Sequence, residues 1–183
     1  HFLAWQDDLQ EFERIEIVPD EQEPRPIPTS VAVDIAWDSW AQRFLNQKEY
    51  THPEVEKEWE FLRTQANGTH RPFCIDSTVY HEAGATEVQE VALILATISE
   101  IAPRLTEPSQ WVGLWSKLAL GQDLFENIAK CRALKKLSQK LFASMELEHK
   151  LSIHAVTSQS GWTEEDPESN ILRATISSIA AHW

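Results

Sequence analysis

From residue 30 onward, short apolar runs rich in β-branched residues alternate with longer stretches whose apolar positions recur every three or four residues. The first pattern reads as strand, the second as amphipathic helix. SVAVDIA (30–36), PFCID (72–76), WVGLWSKLAL (111–120) and LSIHAV (151–156) are the four predicted strands. Asp38 or Ser39 can open a short helix carrying Trp40, Phe44 and Leu45. Thr51, His52 and a first-turn proline, Pro53, precede a helix with Val55, Trp59 and Leu62 on one face. Thr86 and Gln89 form a capping box for a helix whose inward stripe is Val88, Val91, Ala92, Leu95, Ile98 and Ala102. Pro103 ends it. Asp123 and Glu126 form a second box, opening a helix from Leu124 to about Met145 with Phe125, Ile128, Cys131, Leu134, Leu137 and Leu141 inward. Asp166-Pro167 starts the last helix, with Leu172, Ile176, Ile179 and Ala180 inward.

Upstream, residues 3–17 read as a moderately amphipathic helix, followed by the acidic, Pro-rich linker VPDEQEPRPIPTS. Four prolines between residues 19 and 28 forbid a regular element there. Asn67-Gly68 reads as a turn. Strands alternating with helices imply an α/β fold with parallel pairing and right-handed crossovers. An open doubly wound sheet and a partial TIM (β/α)8 barrel both fit. A complete barrel takes about 250 residues, so four strands in 183 residues amount to a piece of one. The expected organisation is a single domain, 1–183, with 1–29 as N-terminal helix and linker and 30–183 as βα repeats.

Charge and composition narrow the classes. A net charge of −13 argues against nucleic-acid binding, which needs clustered Lys and Arg. The run Lys130, Arg132, Lys135, Lys136 and Lys140 reads as the solvated outer face of its helix. Cys74 and Cys131 sit in apolar segments and read as buried, reduced thiols of a cytoplasmic protein. No apolar run approaches the roughly 18 residues of a membrane span. The opening at His1, without Met or signal peptide, reads as a processed or cut start.

Nucleotide-binding glycine motifs, H-E-x-x-H, G-x-S-x-G and C-x-x-C are all missing, and the seven histidines show no metal-ligand spacing. What remains is polar residues at the C-terminal ends of predicted strands, where parallel α/β folds bind ligands. They are Asp34, Asp76-Ser77-Thr78, Ser116-Lys117, His154 and Thr157-Ser158-Gln159-Ser160. Capping of turns and helices is the plainer reading of Ser77 and Thr78. His154 reads as a core histidine with a hydrogen-bond partner. Tyr80-His81-Glu82 could do acid/base work or simply form the turn before a helix; spacing leaves this open.

At VYHEAGATEVQEVALILA (79–96) the chain resembles the barrel domain of cobalamin-dependent acyl-CoA mutases, methylmalonyl-CoA mutase above all, which carry an AGA…EL turn and helix after a barrel strand. DLFENIAKCRALKKL (123–137) is similar to the family's F…IAK-RA helix. IHAVTSQSGWTEEDPESNILRATISSIAA (153–181) is similar to its THTSGW…D-Y-N-RTT-EA-AA segment. The three are collinear and cover most of residues 72–182; residues 1–70 match weakly. The resemblance implies a (β/α)8 barrel for a CoA thioester and adenosylcobalamin on a second, flavodoxin-like domain, with radical interconversion of methylmalonyl-CoA and succinyl-CoA.

The resemblance also implies particular site residues. Catalytic chains place a substrate-contacting His three positions before the Glu of EAGA, which is Val79 here; His81 is displaced by two. They place a CoA-contacting Arg ten positions before the residue opening the IAK-RA helix, which is Gly113 here. The D-x-H-x-x-G motif whose His ligates cobalt is missing from these residues, with no counterpart of the cobalamin domain. The pattern resembles the small, non-catalytic subunit of heterodimeric methylmalonyl-CoA mutases. That implies no catalytic, cofactor or metal residue of its own, a large catalytic subunit as partner, and acyl-CoA and adenosylcobalamin only through the complex. The alternatives are a divergent catalytic chain using Thr78, His81 and Ser158 in a shifted register, or an unrelated open α/β binding module.

Overall fold

The computed structural model describes residues 15–17, 33–35, 38–47, 51–66 and 70–181. Two compact units emerge, His1–Cys74 with Leu105–Leu114, and Ile75–Arg104 with Trp115–Trp183.

In the first unit, β1 (Ile15–Ile17) pairs in parallel with β2 (Val33–Ile35), with Ile15 opposite Val33. The helix expected over residues 3–17 therefore does not reach its end: Ile-Glu-Ile is a strand, as β-branched residues prefer. The rest of that helix, the Pro-rich linker and the Asn67-Gly68 turn lie outside the described residues. Beside β2, Ile35 donates its N–H to the Arg71 carbonyl (3.0 Å), and the Arg71 guanidinium forks onto the Asp34 carboxylate, Nε to Oδ1 at 2.6 Å and Nη2 to Oδ2. Asp34 is thus held in an ion pair.

Asp38 opens α1 (Ser39–Asn46) by accepting from the Trp40 and Ala41 amides. Thr51 and Glu54 close a capping box on α2 (His52–Gln65), which buries Val55, Trp59 and Leu62 as its spacing predicted. Trp59 stacks on Phe73, centroids 5.6 Å apart.

The central sheet has the order β3 (Phe73–Asp76), β4 (Leu114–Leu120), β5 (Ser152–Thr157). Phe73 N–H donates to the Gly113 carbonyl and Ser77 N–H to that of Lys117, so the two strands advance together, in parallel. β5 also runs parallel to β4, with Trp115 opposite Ser152 and Leu120 opposite Thr157. β4 is buried on both faces, whereas β5 is half-buried along its length and leaves His154 exposed. His154 is therefore not a core histidine; its ring lies over Trp115, centroids 6.1 Å apart. The third strand is shorter than expected because Pro108–Val112 forms α5, taking Trp111 and Val112 out of the run.

Between strands lie α3 (Thr78–Glu82), α4 (Glu87–Ile101), a 3-10 turn at Ala102–Arg104, α6 (Leu124–Ser144) and, last, α7 (Pro167–Ala180). The capping box of Thr86 and Gln89 forms as expected. Asp123 accepts from the Glu126 amide, and Asp166 from that of Ser169. Bonds from Ser169 hold the Asp166 carboxyl below its usual range.

The inward faces keep Val91, Ile98, Cys131, Leu134 and Ala180 of the predicted stripes but are turned from the rest. α4 buries Glu90, Val91, Ile94, Ile98 and Ile101, while Val88 is 80% exposed. α6 buries Asn127, Lys130, Cys131, Leu134, Ser138 and Phe142, while Phe125 is 79% exposed and Leu137 is also exposed. α7 buries only Ser177 and Ala180, leaving Ile171, Leu172, Ile176 and Ile179 exposed. Polar groups occupy positions that an apolar count assigns to solvent. Cys74 and Cys131 are buried thiols, and burial pushes the Cys131 thiol up.

The apolar face of α7 and the half-buried β5 predict that the isolated chain self-associates. Leu172→Lys with Ile179→Lys should raise the monomer fraction in light scattering after size-exclusion chromatography; a wild-type chain that is monomeric at all concentrations would contradict this. His149 stands edge-on to Phe142 (4.9 Å), and burial holds its pKa below the ordinary value. The unfolded chain binds this proton from about pH 6.5 downward and the native chain only at lower pH. Stability from this group is therefore complete above that value and falls as pH drops through the window. Urea melts at about pH 7 and about pH 5 should lose part of their difference in His149→Phe; an unchanged difference would refute the assignment.

Candidate functional site: a buried carboxylate at the C-terminal end of the sheet

The second unit gathers charged and polar groups around Glu90, one turn into α4. Its carboxylate is fully buried, as is the Lys130 side chain of α6. Lys130 Nζ donates to Glu90 Oε2 at 2.8 Å, and Oε1 accepts the Ala119 amide of β4 at 2.9 Å. Ser77, the residue after β3, has its Oγ 2.7 Å from Glu90 Oε1 and 2.6 Å from the Lys117 carbonyl; its single proton serves one at a time. His81 Nδ1 of α3 lies 3.2 Å from Glu90 Oε2, and Glu87 Oε1 lies 3.7 Å from Lys130 Nζ. One carboxylate thus joins β3, α3, β4, α4 and α6.

The expected solvated role of Lys130 is corrected: it is 3% exposed and ion-paired, while Arg132, Lys135, Lys136 and Lys140 are exposed. A buried ammonium is tolerated because its charge is neutralised and its protons accepted within reach.

A second polar knot lies at the end of β4. Asn127 accepts the Gly121 amide (2.9 Å) and donates to the Gly121 carbonyl (2.8 Å), closing a two-way bond with its side chain. Ser177 Oγ of α7 donates to the same carbonyl at 2.7 Å. Glu82 accepts the Gln159 amide at 3.0 Å, linking the turn after β3 to that after β5. Gly84 has φ +96°, the left-handed conformation that ends α3 before the cap of α4 and favours glycine.

The sequence-derived candidates are engaged locally. Thr78 binds the Asp76 carboxylate through both its amide and its hydroxyl. Ser158 is buried; its amide donates to the Leu120 carbonyl (2.8 Å) and its Oγ accepts the Ser160 amide (3.1 Å). Thr78 and His81 share α3, while the Ser158 hydroxyl bonds within its own loop. Ser116 and Lys117 fall inside β4, not at its end. Glu90 and Lys130 were missed as a site, although they stand at helical spacing with the buried residues Ile94 and Ile98, and Asn127 and Leu134.

Chemically the cluster is closed. Glu90 already takes the Lys130 ammonium and the Ala119 amide, with Ser77 in reach, so both its oxygens are engaged within the protein. Among the described residues no group of three or more His, Cys, Asp or Glu could hold a metal ion, and none of their helices is long and apolar enough to cross a membrane. A cluster whose charges are paired within the protein does not fit a cobalamin cradle.

The geometry predicts that Lys130→Ala strands a buried carboxylate and costs about 3–5 kcal/mol, while Glu126→Ala on the exposed face stays within about 0.5 kcal/mol. Urea denaturation measures both; equal small losses would sink the assignment.

Comparison with known proteins covers most of the chain. The family model described as methylmalonyl-CoA mutase matches residues 42–183. The methylmalonyl-CoA mutase small subunit of Propionibacterium freudenreichii subsp. shermanii is 33% identical over 119 residues, covering 61% of this chain and 19% of that protein. The small subunit of Streptomyces virginiae is 33% identical over 118 residues, with 61% and 19% covered. The methylmalonyl-CoA mutase of Escherichia coli (strain K12) is 34% identical over 122 residues, covering 56% of this chain and 16% of its own. The chain therefore spans less than a fifth of the length of these relatives.

Proposed function

This chain belongs to the methylmalonyl-CoA mutase family, and from that premise we propose that it is a small-subunit-like, non-catalytic partner of a large mutase chain. Its fold would be part of a (β/α)8 barrel, a single domain built from the βα repeats of 30–183. It would contribute an interface, while acyl-CoA and adenosylcobalamin are handled by the complex in the cytoplasm.

One observation carries the reading. At the position where the resemblance calls for a CoA-contacting Arg stands Gly113, and a Cβ built there would lie 2.9 Å from Pro72 Cδ and 3.2 Å from the Gln110 carbonyl oxygen. The Pro72 ring and the Gln110 carbonyl occupy the space a side chain would need. Val79, where a substrate-contacting His is called for, offers no hydrogen bond. Loss of both is what a chain without productive substrate binding would carry.

A second reading, a divergent catalytic chain, draws on His81, whose Nδ1 lies 3.2 Å from Glu90 Oε2. Thr78 and Ser158 would then bind a CoA thioester only after leaving their present partners.

Two experiments separate these. Gly113→Ala should destabilise the chain by about 1–3 kcal/mol through overpacking; a neutral effect would show that the space is open. Coexpressed with a large mutase chain, the protein should copurify as a heterodimer, and alone it should show no saturable heat of binding with methylmalonyl-CoA. Saturable binding abolished by His81→Ala would overturn the non-catalytic reading.

A further inference from the structure

Beside the polar cluster, whose Glu87 and Lys130 help to line it, the second unit carries a groove of about 690 Å³ between α4 and α6. Val88, Ala92 and Leu95 line one side, Ala129, Ala133 and Leu137 the other. Three alanines facing a channel let a third helix approach closely, since interaxial distance is set by the side chains at the contact.

Charge is distributed unevenly around it. Arg132, Lys136 and Lys140 each follow a lining residue of α6 by three positions, so they flank the channel along the helix, and all three are exposed. Glu87 and Glu126 stand at the other end, in the first turns of α4 and α6. The rim thus runs from acidic to basic, in a chain whose net charge is −13. This basic stripe beside an apolar channel, in an otherwise acidic chain, favours an acidic partner.

We propose that this groove seats an amphipathic helix of a partner polypeptide. Its apolar stripe packs on Ala92, Ala129 and Ala133, and acidic residues beside the stripe meet Arg132, Lys136 and Lys140. This is helix-in-groove recognition, with the anchors at helical spacing on the partner. The inference does not rest on the subunit reading, because its test uses the 183-residue chain alone.

The probe is a fluorescein-labelled helical peptide of roughly 15 residues, with Leu along one face and Glu flanking it; its control replaces every Glu with Lys. Anisotropy at low salt should show the Glu peptide binding about tenfold more tightly than the Lys peptide, with the preference fading as salt rises. Lys136→Glu with Lys140→Glu should reverse the order. Ala133→Trp should weaken binding of the Glu peptide by filling the channel. These positions are exposed, and unchanged melting curves confirm that the variants remain folded. Binding of neither peptide, equal binding of both, or an order that survives the charge reversal overturns the proposal. So does a groove filled by a second copy, seen as self-association lost in Ala133→Trp.

Discussion

A carboxylate with no access to water has to be satisfied by the protein, and Glu90 is satisfied by parts of the chain far apart in sequence. Lys130 supplies the countercharge from 40 residues downstream, and Ala119 supplies an amide from the middle strand. Ser77 approaches from the end of β3. The buried ion pair constrains more than it stabilises: against well-packed apolar residues such a pair often breaks even, but removing one member is severe. It therefore fixes which face of α4 meets which face of α6, and with that the exposure of everything else on those helices. Val88 and Phe125 point outward because Glu90 and Lys130 point inward.

That dependence explains how far the sequence could be read. Helix starts were legible because capping is local: Asp38, Thr51, Thr86, Asp123 and Asp166 each satisfy orphan amides within a few residues. The parallel order of strands was legible from alternation of the two periodicities. Burial was not. A stripe rule assigns the inside to apolar residues, and here Glu90, Asn127, Lys130 and Ser177 take inward places through partners that only the folded chain brings close. The third strand was overextended for a related reason: Trp111 and Val112 are apolar, but Pro108 starts a short helix through them.

The family resemblance and the geometry meet at the same atoms. Glu90 belongs to the AGA…EL stretch and Lys130 to the IAK-RA stretch, and their side chains bond to one another. The third stretch joins them through Ser177 and Gln159. Residues that mark a family need not be those that do its chemistry; here they hold a strand-to-helix turn in register. The short loop before α4 keeps its shape through Gly84 while Val79 and Gly113 lack the groups that substrate contact would call for.

Bonds made within the protein give Glu90 and Lys130 a scaffold role. Replacing both at once with apolar residues of similar size, Glu90→Leu with Lys130→Met, and measuring mutase turnover of the complex proposed with a large chain separates scaffold from chemistry. A folded double variant should assemble and support turnover near that of the unaltered chain. A double variant that folds and assembles but leaves the complex inactive would contradict the account.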